Sequence, residues 1–163
     1  MIYKIPRIIL MTVIAVMLQF PALAQETIKC EKLKISFETE QILEKYEESH
    51  NETGYDNDDI AVDIERIHWD MFAEEYDKGA LYNAENMTKG LGFDSYKPGG
   101  KIPNIEEAYY FIAKDEWEGQ PFPVFVLFII SPDKKSVYEA TVYCYNNNLE
   151  EGKKLVESFR LLD

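Results

Sequence analysis

Carboxylates are the groups this sequence offers most freely. Between Glu38 and Asp77 stand fifteen acids and only two bases, Lys45 and Arg66. Asp56, Asp58, Asp59, Asp63 and Glu65 form the densest part of that run. Side chains of this type and density suit an electrostatic docking face for a basic partner, and they equally suit a solvated surface that keeps a protein soluble. A calcium loop is a poor match. Counted from Asp56, an EF-hand needs an oxygen ligand at position five, Gly at six and Glu at twelve, where Ile60, Ala61 and Ile67 stand. His50 and His68 are the only histidines, and neither belongs to an HExxH or Cys/His cluster of the kind zinc requires. No GxSxG elbow or Walker loop occurs, and Gly99-Gly100-Lys101 is too short to cradle a phosphate. The sequence therefore assigns no catalytic, cofactor-binding or metal-binding residue. Acids are nonetheless so plentiful that a glycosidase-like carboxylate pair stays open as an alternative, without a particular pair being singled out. Among the aromatics, Trp117 is the ring best placed for exposure, because Asp115 to Pro123 reads as a polar segment between two strands, where a binding loop is expected.

The first 24 residues read as a secretory leader. Lys4 and Arg7 supply a positive start, Ile8 to Phe20 supply an apolar stretch, and Ala22-Leu23-Ala24 matches a cleavage site, predicting a mature chain from Gln25. That stretch is 13 residues long, short of the ~20 that span a bilayer. The expectation is an exported protein, periplasmic or extracellular, with no membrane insertion after cleavage. Without the leader, fifteen bases face thirty acids, a net charge of −15 over 139 residues. Such a balance repels nucleic-acid phosphates and anionic lipid alike. Export also puts Cys30 and Cys144 in an oxidising compartment, leaving two readings open, a Cys30–Cys144 disulfide or two buried thiols.

Elements must position these groups, and 46% hydrophobic residues are enough for a core. Lys32 to Phe37 reads as a strand with Leu33, Ile35 and Phe37 on one face, and Glu40 to Ser49 as a short amphipathic helix. Asn51 to Asp59 reads as a loop. Asp59 to Arg66 alternates as a half-buried strand, with Ile60, Val62 and Ile64 facing inward. Leu81 to Leu91 has helical spacing, and Lys97 to Pro103 has the prolines and glycines of a loop. Ile105 to Lys114, Val124 to Ile130 and Ser136 to Tyr145 form an antiparallel meander, with Ser131 to Lys135 as one turn. The first two of these strands are apolar on both sides, which demands cover on both faces of the sheet. Asn148 caps a closing helix with Glu151 at its third position, and Leu149, Leu155 or Val156, Phe159 and Leu162 form its inward stripe. The result is a single α+β domain over 25–163, an antiparallel sheet with helices packed on both faces.

That order of elements resembles the Mog1/PsbP-like family of α/β/α sandwiches, particularly its small exported bacterial members. The resemblance runs from Ile35-Ser36-Phe37 through the acidic alternating strand and the meander to Glu157-Ser158-Phe159-Arg160-Leu161. The proline-tryptophan phrase common after the family's first strand is replaced here by Phe37-Glu38-Thr39-Glu40. The resemblance implies a non-enzymatic accessory or binding role toward a partner protein, without a cofactor and without naming the partner. The alternative is a small glycan-directed envelope hydrolase acting through two carboxylates. The oligomeric state is not set by the sequence.

Overall fold

A computed structural model describes residues 25–93 and 95–163; the expected leader lies outside the described residues. The chain forms two antiparallel sheets. Glu26–Cys30 (β1), Ile35–Thr39 (β2) and Arg160–Leu161 (β10) make a three-stranded sheet with β2 at its centre. The larger sheet takes seven strands in the order β3-β4-β5-β9-β8-β7-β6. Its members are Glu44–Glu48 (β3), Glu52–Asp56 (β4), Ile60–His68 (β5), Tyr96–Lys101 (β6), Glu107–Trp117 (β7), Gln120–Ile130 (β8) and Ser136–Cys144 (β9). A 3-10 turn at Trp69–Met71 leads into the short helix Ala73–Tyr76 (α1) and then Ala80–Gly90 (α2); Leu149–Glu157 (α3) follows β9. Among the described residues, no helix is long and apolar enough to cross a membrane.

The large sheet is covered on both faces, as the two-sided apolar strands require. On what we call the inner face, Ile60, Val62, Ile64, Phe125, Leu127, Ile129, Ala140 and Val142 pack under α3 and the small sheet. Phe37 of β2 stacks on Phe159 at 5.2 Å and meets Tyr55 edge-on at 5.9 Å, which clamps the small sheet to the large one. On the outer face, α2 lies across β7 and β8 and buries Ala80 and Ala84 against Phe111, Phe128 and Ile130. Every residue of β8 from Phe122 to Ile130 is buried. Each fully buried side chain of this size is worth roughly 1.5–3 kcal/mol, so this strand anchors the fold.

The closing helix is capped as its sequence predicts: the Asn148 side chain accepts from the Glu151 N–H at 3.2 Å. Leu149, expected inside, is exposed. The helix also ends sooner than expected, at Glu157, and Arg160–Leu161 returns as a strand against Ser36 and Ile35. Ser158 makes that reversal possible, because its hydroxyl accepts the Glu38 N–H at 2.8 Å and ties the helix end to β2. Gly152 is required here as well, since any Cβ would strike Phe125 and the Cys144 sulfur.

Three expectations are corrected. Glu40 to Ser49 is no helix: β3 occupies its centre, and Ile42 of the supposed apolar face is 82% exposed. Asn51 to Asp59 is largely strand β4, where Gly54 reads as a turn signal yet sits under the Tyr46 ring. Lys97 to Pro103 is mostly the edge strand β6, which carries Pro98 beside a bulge, a position where a strand tolerates a missing N–H. The Cys30–Cys144 bridge is also absent, since both thiols are free and buried. Cys30 donates to the Tyr55 hydroxyl at 3.7 Å on β4, whereas Cys144 lies on β9, two strands away in the same sheet. Cys30 itself sits on β1 of the small sheet, and the Cys144 sulfur lies beneath Gly152 of α3 instead, so the two thiols have different neighbours. Burial pushes the Cys30 thiol up and holds Cys144 at about 12, so both stay protonated and unreactive.

Candidate functional site

Alternation in β5 sends Ile60, Val62 and Ile64 to the inner core and Asp63 and Glu65 to the outer face. The pairing register then does something the sequence does not announce. Glu65 lies opposite Glu52 of β4 on one side and opposite Glu139 of β9 on the other. Three carboxylates therefore share one rung across three strands, with neighbouring Cβ atoms about 4.5–5.5 Å apart. Asp63 lies on the same face one rung along, between Gly54 and Thr141. Tyr46 closes over Gly54, and its hydroxyl donates to Asp63. Among the described residues, none of Glu52, Asp63, Glu65 and Glu139 forms an ion pair.

These acids line the floor of a groove, because α2 lies chiefly over β7 and β8. One stretch encloses about 760 Å³ between β5 and the α1–α2 segment. A second, of about 480 Å³, continues over β4. Glu65, Met87 and Glu139 line both stretches, so the two are one trough. Its wall is apolar and open to solvent: Met71 is 66% exposed, and Phe72, Tyr82 and Leu91 are exposed beside it. That wall is firmly held. Tyr76 packs on Trp69 at 5.5 Å and on Phe128 at 5.5 Å. The Asn83 amide donates to the Glu75 and Gly79 carbonyls, joining α1 to α2. Glu107 accepts the first N–H of α2 at 3.2 Å.

Two bases, Arg66 and Lys78, also line the trough, and each is engaged elsewhere. Arg66 donates to the Lys32 carbonyl at 3.0 Å, and the Lys78 ammonium lies 4.9 Å from the Tyr82 ring centre. Burial raises the Glu139 carboxyl above the usual range, and the Glu65 charge beside it raises it further. Tyr76 is pushed up to about 12, first by burial and then by Glu139, Glu75 and Glu65. Burial is the larger cause of both shifts, and the neighbouring acids add to each.

Of the acids that the sequence singles out, only Asp63 and Glu65 line this floor. Asp56 ends β4, opposite Ala61, and Asp59 lies in the β4–β5 turn. Asp58 lines a different cavity, together with Trp117, which is 71% exposed. The segment Asp115 to Pro123, expected as a loop, is instead the end of β7 and start of β8 joined by a two-residue turn, because the strands pair right up to Trp117 and Gln120. Sequence reasoning missed Glu139 and Glu52. The legible hint was Glu139 itself, a charge interrupting the apolar Val137 to Cys144 strand. Among the described residues, no three His, Cys, Asp or Glu side chains are grouped to hold a metal ion.

No family model matches this sequence, and no curated protein matches it. Solved structures do. A Bacteroides thetaiotaomicron protein superposes with a TM-score of 0.53 at 12% identity over 85% of this chain; this chain spans 48% of that protein's length. The Saccharomyces cerevisiae Ran-binding protein Mog1p superposes with a TM-score of 0.53 at 8% identity, over 85% of this chain and 96% of that one. A point mutant of protein Mog1 gives 0.52 at 9% identity with the same coverage of each chain. The chain has the Mog1/PsbP-like fold that its order of elements implies.

Proposed function

We propose that this protein is an exported, non-catalytic binding protein whose outer-face trough takes a basic, partly apolar segment of a partner protein. The observation that carries this reading is the rung of Glu52, Glu65 and Glu139, free of ion pairs, lying under the apolar wall of Met71, Phe72, Tyr82 and Leu91. Carboxylates that form no ion pair favour a positively charged guest, and exposed apolar side chains beside them favour one with a greasy face. A partner-binding role also suits a fold shared with a protein named for binding Ran. Export is supported by Lys4, Arg7, the apolar run after them and Ala22-Leu23-Ala24.

The test is a calorimetric titration with a synthetic amphipathic peptide bearing Lys on one face and Leu on the other. Binding should weaken steeply with added salt and fall about tenfold or more in a Glu65→Gln/Glu139→Gln variant. Affinity indifferent to both changes would remove the reading.

One observation favours a second reading. Glu139 is raised while Glu65 sits opposite it in an open groove, the unequal pairing that acid–base hydrolysis of a glycan uses. A panel of envelope glycans decides between the two. Turnover by the wild type that Glu139→Gln abolishes establishes the hydrolase; no turnover by a protein that binds the peptide eliminates it.

A further inference from the structure

A second cavity, independent of the trough, lies at the far end of the same outer face. The β7–β8 hairpin closes on Trp117 and Gln120, which pair across a two-residue loop. Glu118 and Gly119 hold φ of 51° and 80°, the left-handed pair that a tight hairpin turn demands. Trp117 thus stands at the tip of a tight hairpin, and among the described residues no other ring is stacked on it. Tyr145, just past β9, is 45% exposed. It packs edge-on against Phe122 at 5.0 Å and parallel to Tyr143 at 6.1 Å, so its ring is held. Trp117, Tyr145 and Phe122 line a cavity of about 610 Å³.

Two carboxylates, Asp58 and Glu118, and two amides, Asn57 and Gln120, complete that lining, and no Lys or Arg belongs to it. Asp58 sits in a braced turn, because the Asn57 side-chain Oδ1 accepts the Asp59 and Ile60 N–H groups at 2.9 and 2.8 Å. The Asn57 amide also donates to the Ile42 carbonyl at 3.1 Å. The surroundings are negative: burial raises the Tyr145 hydroxyl first, and Asp63, Asp56 and Asp115 then add to the shift. Held aromatic rings attract a cation through the negative potential of their faces, and nearby carboxylates deepen that attraction. A primary ammonium or guanidinium would have to give up hydrated N–H groups to ring faces that return few hydrogen bonds. An alkylated ammonium has no such donors to lose. We propose that the cavity between Trp117 and Tyr145 binds a quaternary ammonium group, carried by a free solute or by a lipid headgroup.

The experiment uses the chain from Gln25 onward and follows choline by calorimetry and by the Trp117 indole resonance. Its controls are the neutral carbon isostere of choline, phosphatidylcholine vesicles, and the variants Trp117→Ala and Asp58→Asn. Choline should bind and shift the indole signal, the isostere should not, and Trp117→Ala should weaken binding about tenfold or more. Asp58→Asn should weaken it less while leaving the fold intact, because this side chain is exposed. Binding to vesicles as well, lost in Trp117→Ala, makes the headgroup the source; binding to choline alone makes it a solute. Equal binding of the isostere, unchanged binding in Trp117→Ala, or no response to choline and vesicles overturns the proposal.

Discussion

The two faces of the large sheet are built from the same strands and put to opposite uses. On the inner face, β5 contributes Ile60, Val62 and Ile64, each sealed beneath α3 and the small sheet. On the outer face it contributes Asp63 and Glu65, which meet other carboxylates and solvent. A strand alternates whatever surrounds it; what differs is the cover. The small sheet and α3 close the inner side, whereas α2 lies chiefly over β7 and β8 and leaves Asp63 and Glu65 of β5 and Glu52 of β4 in an open trough. The outer face is packed over β7 and β8, and the thinly covered stretch beside them can carry like charges at close range.

The severest way to break this contrast is Phe37→Ala. Removing the ring between Tyr55 and Phe159 should cost about 3–5 kcal/mol, read by urea unfolding. Comparable loss from an outer-face substitution such as Met71→Ala would contradict the division. Reversing charge on the open side should instead act on binding. Glu65→Lys should weaken a cationic peptide by about 2 kcal/mol or more, with the melting temperature little altered. Asn148→Ala removes the cap of α3 and should cost about 1 kcal/mol in the same unfolding assay, confirming that the inner cover bears weight along its whole length.

The smallest effect has the opposite sign. Glu139 is raised in the folded protein, so the native state holds its proton more tightly than the unfolded chain does. Its favourable contribution is full below the ordinary carboxylate range and is lost as pH rises through the elevated value. At neutral pH, Glu139→Gln should therefore stabilise the fold by about 0.2–1 kcal/mol. That gain should vanish in acid, as thermal melts across a pH series would record.

Much of the architecture is written in local pattern. The meander β7–β8–β9, the alternation of β5 and the Asn148 cap each follow from residues near one another in the chain. The margins were illegible for a physical reason. Strands β3, β4 and β6 lack an apolar stripe, and neighbouring strands supply what holds them: β4 pairs on both sides, and Tyr46 of β3 covers its Gly54. Glu44, Lys45, Glu47 and Glu48 are good helix formers in isolation, and tertiary pairing overrides that preference. The candidate site divided likewise. Asp63, Glu65 and Trp117 are visible as types in context, but the rung of Glu52, Glu65 and Glu139 exists only once register brings three distant segments side by side.

The borders of the seven-stranded sheet have a consequence for life at high concentration. One border, β3, shifts register between Lys45 and Glu47, and the other, β6, shifts between Pro98 and Gly100. A passing copy would find interrupted hydrogen-bonding groups there, crowded by charge or blocked by a ring that has no N–H to give. Neither rim can serve as a clean template for adding strand after strand, so the large sheet is guarded against growing into fibrils.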